Sequence, residues 1–410
     1  YIGNNYMNMK CRICGSESRM FLDFGKMPLA NAFLKKEDLA KEEAKYPLAL
    51  SYCDTCKIVQ LTEAISGKKL FKNYVYVSST AKSFRIHFNE LATKLKFKLQ
   101  LNENSLAVDI GSNDGVLLKE YKKSNIPFIG VDPAENIAKL ANEQGLETIN
   151  AFFNKEVVNE IIDQKGKADV ITACNVFAHI EQIHEVIDNV KLLLKDSGTF
   201  VIEIQYFIDT IKTMTFDNVY HEHLFYYTVH SLDFLFKKHG LQIEHIEHVD
   251  THGGSLRVFI KKEAIPDETY FQYLETEGRD KVAEFHTYEL FAEKVNFTKK
   301  NIVELIKRIK KKDQKIVGYG APAKASTLLN FCNIGKEGIT YIIDDNPLKQ
   351  NLFTPGNKIP VKDFSHIKED PPNYIIILAW NFFNPIMNKI NKIYPQKFKF
   401  ILPLPSPKII

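Results

Sequence analysis

Residues 106–115, LAVDIGSNDG, restrict the fold more than any other stretch. An apolar strand runs into a loop of pattern Asp109-x-Gly111-x-x-x-Gly115, with Asn113 inside it, and then into the helical VLLKEYKK. Glycines in such a loop let backbone approach a ligand closely. About twenty residues on, Phe128-Ile-Gly-Val-Asp132-Pro reads as a second strand ending in an acid, where a doubly wound sheet holds the two ribose hydroxyls of an adenosine. The spacing is not the G-x-G-x-x-G that grips a dinucleotide pyrophosphate. With Asp132 it suits a ligand without phosphates, S-adenosylmethionine; a nicotinamide-binding Rossmann domain is the competing reading.

Further strands extend the pattern. Asp169-Val-Ile-Thr-Ala-Cys-Asn175 is a third, with Asn175, Phe177 and His179 at its carboxyl end beside the ligand crevice, although a histidine like His179 is by itself more often a satisfied strand-end residue than a catalyst. Asp196-Ser-Gly198 is expected to turn the chain into a strand at 199–205, and residues 241–249 and 255–262, joined through DTHGG, to close the sheet as a hairpin. This order resembles the class I methyltransferase fold.

Straight after the 199–205 strand comes the densest chemistry in the chain: Tyr220, His221, Glu222 and His223 in succession. A proton acceptor near neutral pH, a partner to orient it and a donor for developing negative charge suit proton abstraction. A solvated polar turn, or a metal site using both histidines, remains open on these residues alone.

Four of the six cysteines form two tight pairs, Cys11-Arg-Ile-Cys14 and Cys53-Asp-Thr-Cys56. Two such turns complete a closed tetrahedral shell of four thiolates, so a structural zinc site is expected; disulfides are the lesser alternative. Cys174 and Cys332 read as buried apolar residues. Between the pairs, GKMPLANAF (25–33), which contains Asn31, reads as an ordered loop facing the substrate. After them, 71–79 alternates as a strand or extended linker, with Tyr76 where two domains meet. Beyond helices at 267–312, a third module repeats the theme. The strand at 315–319 leads into the loop and helix GAPAKASTLLN, and YIIDDN ends in acids. The start of that helix, with Gly320, Lys324, Ser326 and Thr327, suits a phosphate, and Trp380-Asn381-Phe382 offers a ring and an amide to a base or sugar.

A 410-residue chain with 45% hydrophobic residues can bury several cores, and a net charge of +4 over 54 basic and 50 acidic side chains gives no argument for nucleic acid or a membrane surface. No apolar run is long enough to span a bilayer and no secretory pattern opens the chain, so a cytoplasmic enzyme is expected. YIGNNYMN reads as a leader, with the natural start at Met9.

The zinc pairs, GKMPLANAF, VDIGSNDG, NVYHEH, HGGSLR and GYGAPAKASTLLN, in this order over essentially the whole chain, resemble the three-domain sugar C-methyltransferases, which methylate C3 of nucleotide-linked 4-keto-deoxysugars. The resemblance implies an α/β protein with a zinc-binding domain (9–78), a class I, Rossmann-like S-adenosylmethionine-binding domain (79–262), and a helical connector with a second Rossmann-like domain that helps hold the nucleotide sugar (263–410). It implies His223 as catalytic base, Tyr220 and Glu222 as its partners, and Tyr76 as a second tyrosine at the enolate. Asp109, Gly111, Asn113, Gly115, Asp132 and Asn175 would hold the methyl donor. His179, Asn31, Gly320, Lys324 and Ser326 would hold the sugar nucleotide. Ala325 stands where the family often has glycine. A monomer is expected, with an oligomer left open. An O- or N-methyltransferase is the alternative activity.

Overall fold

The computed structural model describes residues 9–71, 78–80, 82–251 and 253–410. Three sheets form among them, two from the apolar runs of a single module and the amino-terminal one with a strand borrowed from the central module. The central sheet has seven strands in the order Gln242–Val249, Ser255–Lys261, Leu194–Gln205, Ala168–Cys174, Ala107–Ile110, Phe128–Val131, Thr148–Ile149. Its core is parallel, and only Ser255–Lys261, which lies between Leu194–Gln205 and Gln242–Val249, runs antiparallel to the rest. Strands covered on both faces must be apolar throughout, and Ala107, Val108 and Ile110 alternate between two buried clusters. The face carrying Ala107 lies under the helices Lys82–Lys98 and Val116–Lys123. The carboxyl ends of the parallel strands all meet at one edge, with the strand order reversing between Ala107–Ile110 and Ala168–Cys174, and ligands bind at such an edge.

The expected turn at Asp196–Gly198 is absent. Leu194–Gln205 is one strand with an irregularity: Ala168 pairs with Leu194, and Val170 with Thr199. The added residues bulge out without ending the pairing. Residues 72–77 of the expected strand at 71–79, Tyr76 among them, lie outside the described residues; Gly67–Phe71 is helical and Ser78–Thr80 a short 3-10 turn.

The amino-terminal sheet is antiparallel, in the order Met9–Lys10, Glu17–Met27, Tyr46–Tyr52, Val59–Leu61, Phe225–Tyr226. Its last strand comes from the middle of the chain, directly after His223. The C-terminal sheet has six strands, five of them parallel with Ile316–Tyr319 at their centre and Lys408–Ile409 antiparallel at one edge. The connector forms Glu268–Arg279, which packs on the strand Gln242–Val249, and Phe285–Lys310, which packs on Glu17–Met27, the helices expected from their apolar periodicity. Glu277 is fully buried and accepts from the Tyr206 hydroxyl (2.9 Å) and from the amides of Val229 (2.6 Å) and His230 (3.0 Å), which ties the connector to the central unit. One buried apolar cluster reaches from Ile13 and Leu50 through Ile171 and Phe207 to Leu328 and Ile376. The three modules therefore share a core. Among the described residues no helix is long and apolar enough to cross a membrane.

Candidate active site and metal centre

Each cysteine pair closes a tight turn, with Gly15 N–H donating to the Cys11 carbonyl and Lys57 N–H to the Cys53 carbonyl, both at 2.9 Å. The two turns face each other: Cys11 and Cys56 sulfurs are 3.5 Å apart, Cys14 and Cys53 sulfurs 3.4 Å, and all four lie within 4.8 Å of one another. Tetrahedral thiolates at the usual zinc distance lie about 3.8 Å apart, so the four sulfurs fit one zinc ion.

At the carboxyl edge of the central sheet, Gly111 has φ +67°, its N–H donates to the Val131 carbonyl (2.7 Å), and a methyl group there would lie 2.7 Å from Val176. Asn113, also left-handed (φ 51°), donates its N–H to Asp132 Oδ2 at 2.9 Å. Ala134 N–H takes Asp132 Oδ1 at 2.9 Å, so the acid knits the two strand ends together while keeping further lone pairs. Burial raises its pKa. Gly115 precedes the helix Val116–Lys123 and Asn175 follows the third strand, its N–H on the Glu203 carbonyl (2.8 Å). Asp109 is buried and accepts from the Thr172 hydroxyl (2.6 Å); burial pushes its carboxyl up to about 7. Ser78 N–H docks on Asn113 Oδ1 at 2.9 Å, which brings the segment that follows Tyr76 onto this loop.

The 220–223 cluster divides between two tasks. His221 turns toward the amino-terminal sheet and its Nε2–H donates to the Tyr46 carbonyl (3.2 Å). His223 is 7% exposed, and its Nδ1 lies 2.9 Å from the Asn218 carbonyl. A carbonyl only accepts, so Nδ1 carries the hydrogen and Nε2 is the basic nitrogen. The ring is stacked near His179 (centroids 5.0 Å apart) and Tyr220 (4.0 Å), with Tyr226 edge-on at 6.4 Å. Burial, and then His179 beside it, pull its pKa well below the ordinary imidazole value. The ring is thus oriented by a backbone carbonyl, whereas Glu222 accepts from Asn31 Nδ2 at 2.6 Å, joining the 25–33 loop to the cluster.

The third module meets this cluster with the helix Ala323–Phe331. Its contacts differ from an open phosphate cradle. Lys324 Nζ donates to Asn381 Oδ1 (2.7 Å) and stands 3.6 Å over the Trp380 ring, and the Thr327 hydroxyl donates to the Val219 carbonyl (2.6 Å). The Trp380 face expected for a base or sugar is therefore taken by Lys324. Gly320 N–H closes on the Ile343 carbonyl (2.7 Å), and the Ser326 hydroxyl lies 3.2 Å from Asn330 Nδ2. Two residues of this junction escaped notice in the sequence. Lys349 donates to the Ala321 carbonyl (2.9 Å) next to Phe33, with Glu222 within electrostatic reach. Asp217 is fully buried under Trp380. The signal available was only that each charge sits in an otherwise apolar or turn-forming stretch.

Three family profiles tile the chain: a zinc binding domain at residues 11–71, a methyltransferase domain at 84–246, and the C-methyltransferase C-terminal domain at 250–405. Over 405 residues the chain is 35% identical to the C-methyltransferase NovU of Streptomyces niveus, covering 98% of this chain and 96% of that protein. The chain belongs to the three-domain C-methyltransferase family. This C-methyltransferase is also 25% identical over 123 residues to a ubiquinone biosynthesis O-methyltransferase of Rhodopseudomonas palustris (strain TIE-1), a match covering 29% of this chain and 49% of that one. A solved S-adenosylmethionine-dependent methyltransferase from Clostridium acetobutylicum ATCC 824 aligns at 14% identity and a TM-score of 0.35, covering 45% of this chain and 93% of its own. The C-methyltransferase uses S-adenosylmethionine as methyl donor and carries a zinc-binding amino-terminal domain with four clustered cysteines.

Proposed function

We propose that the enzyme methylates C3 of a nucleotide-linked 4-keto-deoxysugar through an enolate, with His223 as the base. The observation that carries this reading is the fixed tautomer of His223. Its Nδ1–H is spent on the Asn218 carbonyl, so Nε2 is a proton acceptor held in a buried, aromatic pocket. Methyl transfer to carbon needs a carbanion equivalent, and a hydrogen beside a ketone is one that an imidazole can remove if the enolate is stabilised. In the proposed step His223 Nε2 takes the C3 proton and the C–H electron pair moves into the ketone as an enolate. Tyr220 or Tyr76 donates to the C4 oxygen. The donor supplies a methyl on a positively charged sulfur. C3 forms the new bond, the S–CH3 pair returns to sulfur, and the proton on His223 leaves to solvent.

In this reading the units 9–78, 79–262 and 263–410 divide the work. Asp109, Gly111, Asn113, Gly115, Asp132 and Asn175 hold the donor, the Asp132 lone pairs meeting its ribose. Asn31, His179, Gly320 and Ser326 hold the sugar nucleotide, and Glu222, fixed by Asn31, reports the 25–33 loop to the cluster.

The test is incubation with S-adenosylmethionine and a panel of nucleotide-linked 4-keto-6-deoxysugars in heavy water, followed by product mass and deuterium at C3. One methyl on carbon is expected. Methyl on oxygen or nitrogen, with no exchange at C3, would put the O- or N-methyltransferase reading in its place. The buried site also fixes a pH response. The groups facing His223 are His179, Tyr220 and Tyr226, with Glu222 adjacent in the chain; because burial and His179 lower its pKa, the neutral, active form persists to lower pH. The kcat profile should stay flat down through about pH 6.5, where an ordinary histidine base would be half protonated. A limb centred at or above that value would contradict the assignment.

A further inference from the structure

One buried acid is used by no step above. Asp217 lies in the turn Phe216–Asn218, fully buried; its Oδ2 accepts from the indole Nε1–H of Trp380 at 2.6 Å, and its Oδ1 has no hydrogen-bond partner among the described residues. The Lys324 ammonium stands over the face of the same ring, 3.6 Å from its centroid and anchored to Asn381. Burial pushes the Asp217 carboxyl up to about 6 against the pull of Lys324, and brings Lys324 down to about 8 against that of Asp217. On the opposite side of Asn218, the Val219 carbonyl accepts from Thr327 of the same helix as Lys324. Gly253 closes the arrangement: with φ +91°, it comes so near that a methyl there would lie 2.8 Å from Trp380. Both neighbours of Asn218 are thus gripped by the C-terminal module, and the Asn218 carbonyl is what holds Nδ1 of His223.

We infer that Trp380 and Lys324 are positioning residues for methyl transfer: through Asp217 they fix the Asn218 carbonyl, and so the tautomer and orientation of the His223 ring. This rests on His223 as the base. A buried carboxylate with an unused oxygen is costly to maintain, and an amide or apolar side chain would fill the turn more cheaply. What the carboxylate adds is a short, charge-assisted hydrogen bond to the one indole of the chain. It makes the base-bearing turn and the C-terminal sheet a single stiff unit, although neither Trp380 nor Lys324 touches the reacting atoms in this scheme.

Trp380→Phe removes the N–H and keeps a ring under Lys324. Lys324→Met, which removes the charge and keeps the stem, is the second variant should the first not fold. Two readouts apply. In the full-length, zinc-loaded protein without substrate, 15N-histidine NMR should show His223 as a single Nδ1–H tautomer in the wild type and as a mixture with Nε2–H in the variant. With S-adenosylmethionine and whichever 4-keto-6-deoxysugar nucleotide of the panel is turned over, kcat should fall about tenfold, with both KM values within about twofold of wild type. An unchanged tautomer in a folded variant overturns the inference, as does a loss of kcat that comes with equal weakening of both substrates. His223→Asn, assayed alongside, separates the two levels: retained turnover there removes the base assignment, whereas the NMR result bears on the positioning by itself.

Discussion

His223→Ala is expected to lower methylation by about 10³-fold while the affinity for S-adenosylmethionine, measured by calorimetry, stays within about twofold of wild type. General-base catalysis contributes roughly 10²–10⁴-fold, and the proposed base, which also packs against Tyr220 and His179, belongs in the middle of that range. Donor affinity should be spared because the loop from Gly111 to Gly115 and the Asp132 carboxylate, which we propose hold the donor, are built from other elements. The cavity left by a 7%-exposed imidazole lowers stability too, so the comparison is made at a temperature where both proteins are folded. A variant retaining near-normal turnover would remove His223 from the reaction.

Stripping zinc with a strong chelator, or replacing Cys56 with serine, should cost more than the local cluster. Cys56 and Cys53 are fully buried, and Val59–Leu61, which follows them directly, is the strand on which Phe225–Tyr226 pairs. Structural zinc sites supply folding energy outright. The expected result is a fall in Tm of about 10 °C or more, together with loss of methylation, while the central sheet still binds the donor; differential scanning calorimetry and donor titration would read both. A chelated protein with unchanged Tm and activity would show that the four thiols hold the turns together without a metal.

The local rules of the chain carried most of the architecture. Apolar runs ending in Asp132 and Asp344, helical spacing from Ile302 to Ile309, and paired C-x-x-C turns all report on neighbours close in sequence, and the sheets, connector helices and cysteine cluster stand where those patterns put them. What was illegible depends on partners far apart in the chain. Nothing in FYY announces an edge strand for a sheet built from residues 9–61. Lys324, expected beside a phosphate, has Asn381 and Trp380 as its partners from far along the chain, and Asp217 draws no notice until an indole from the other end of the chain is seen to cover it. Asp196–Gly198 misled for a different reason: turn-forming residues can be absorbed as a bulge when the partner strand continues on both sides.

The placement of Phe225–Tyr226 bears on how such an enzyme can change by descent. The stretch carrying the proposed base leaves the central sheet at Gln205 and enters the amino-terminal one two residues after His223. A single recombination crossover between the first two modules would keep each set of cysteines and each glycine loop intact, yet hand the histidine segment a sheet edge that evolved beside a different sequence. Cassette exchange is thus penalised at the segment proposed to do the chemistry, and diversification falls to point substitutions along the seams.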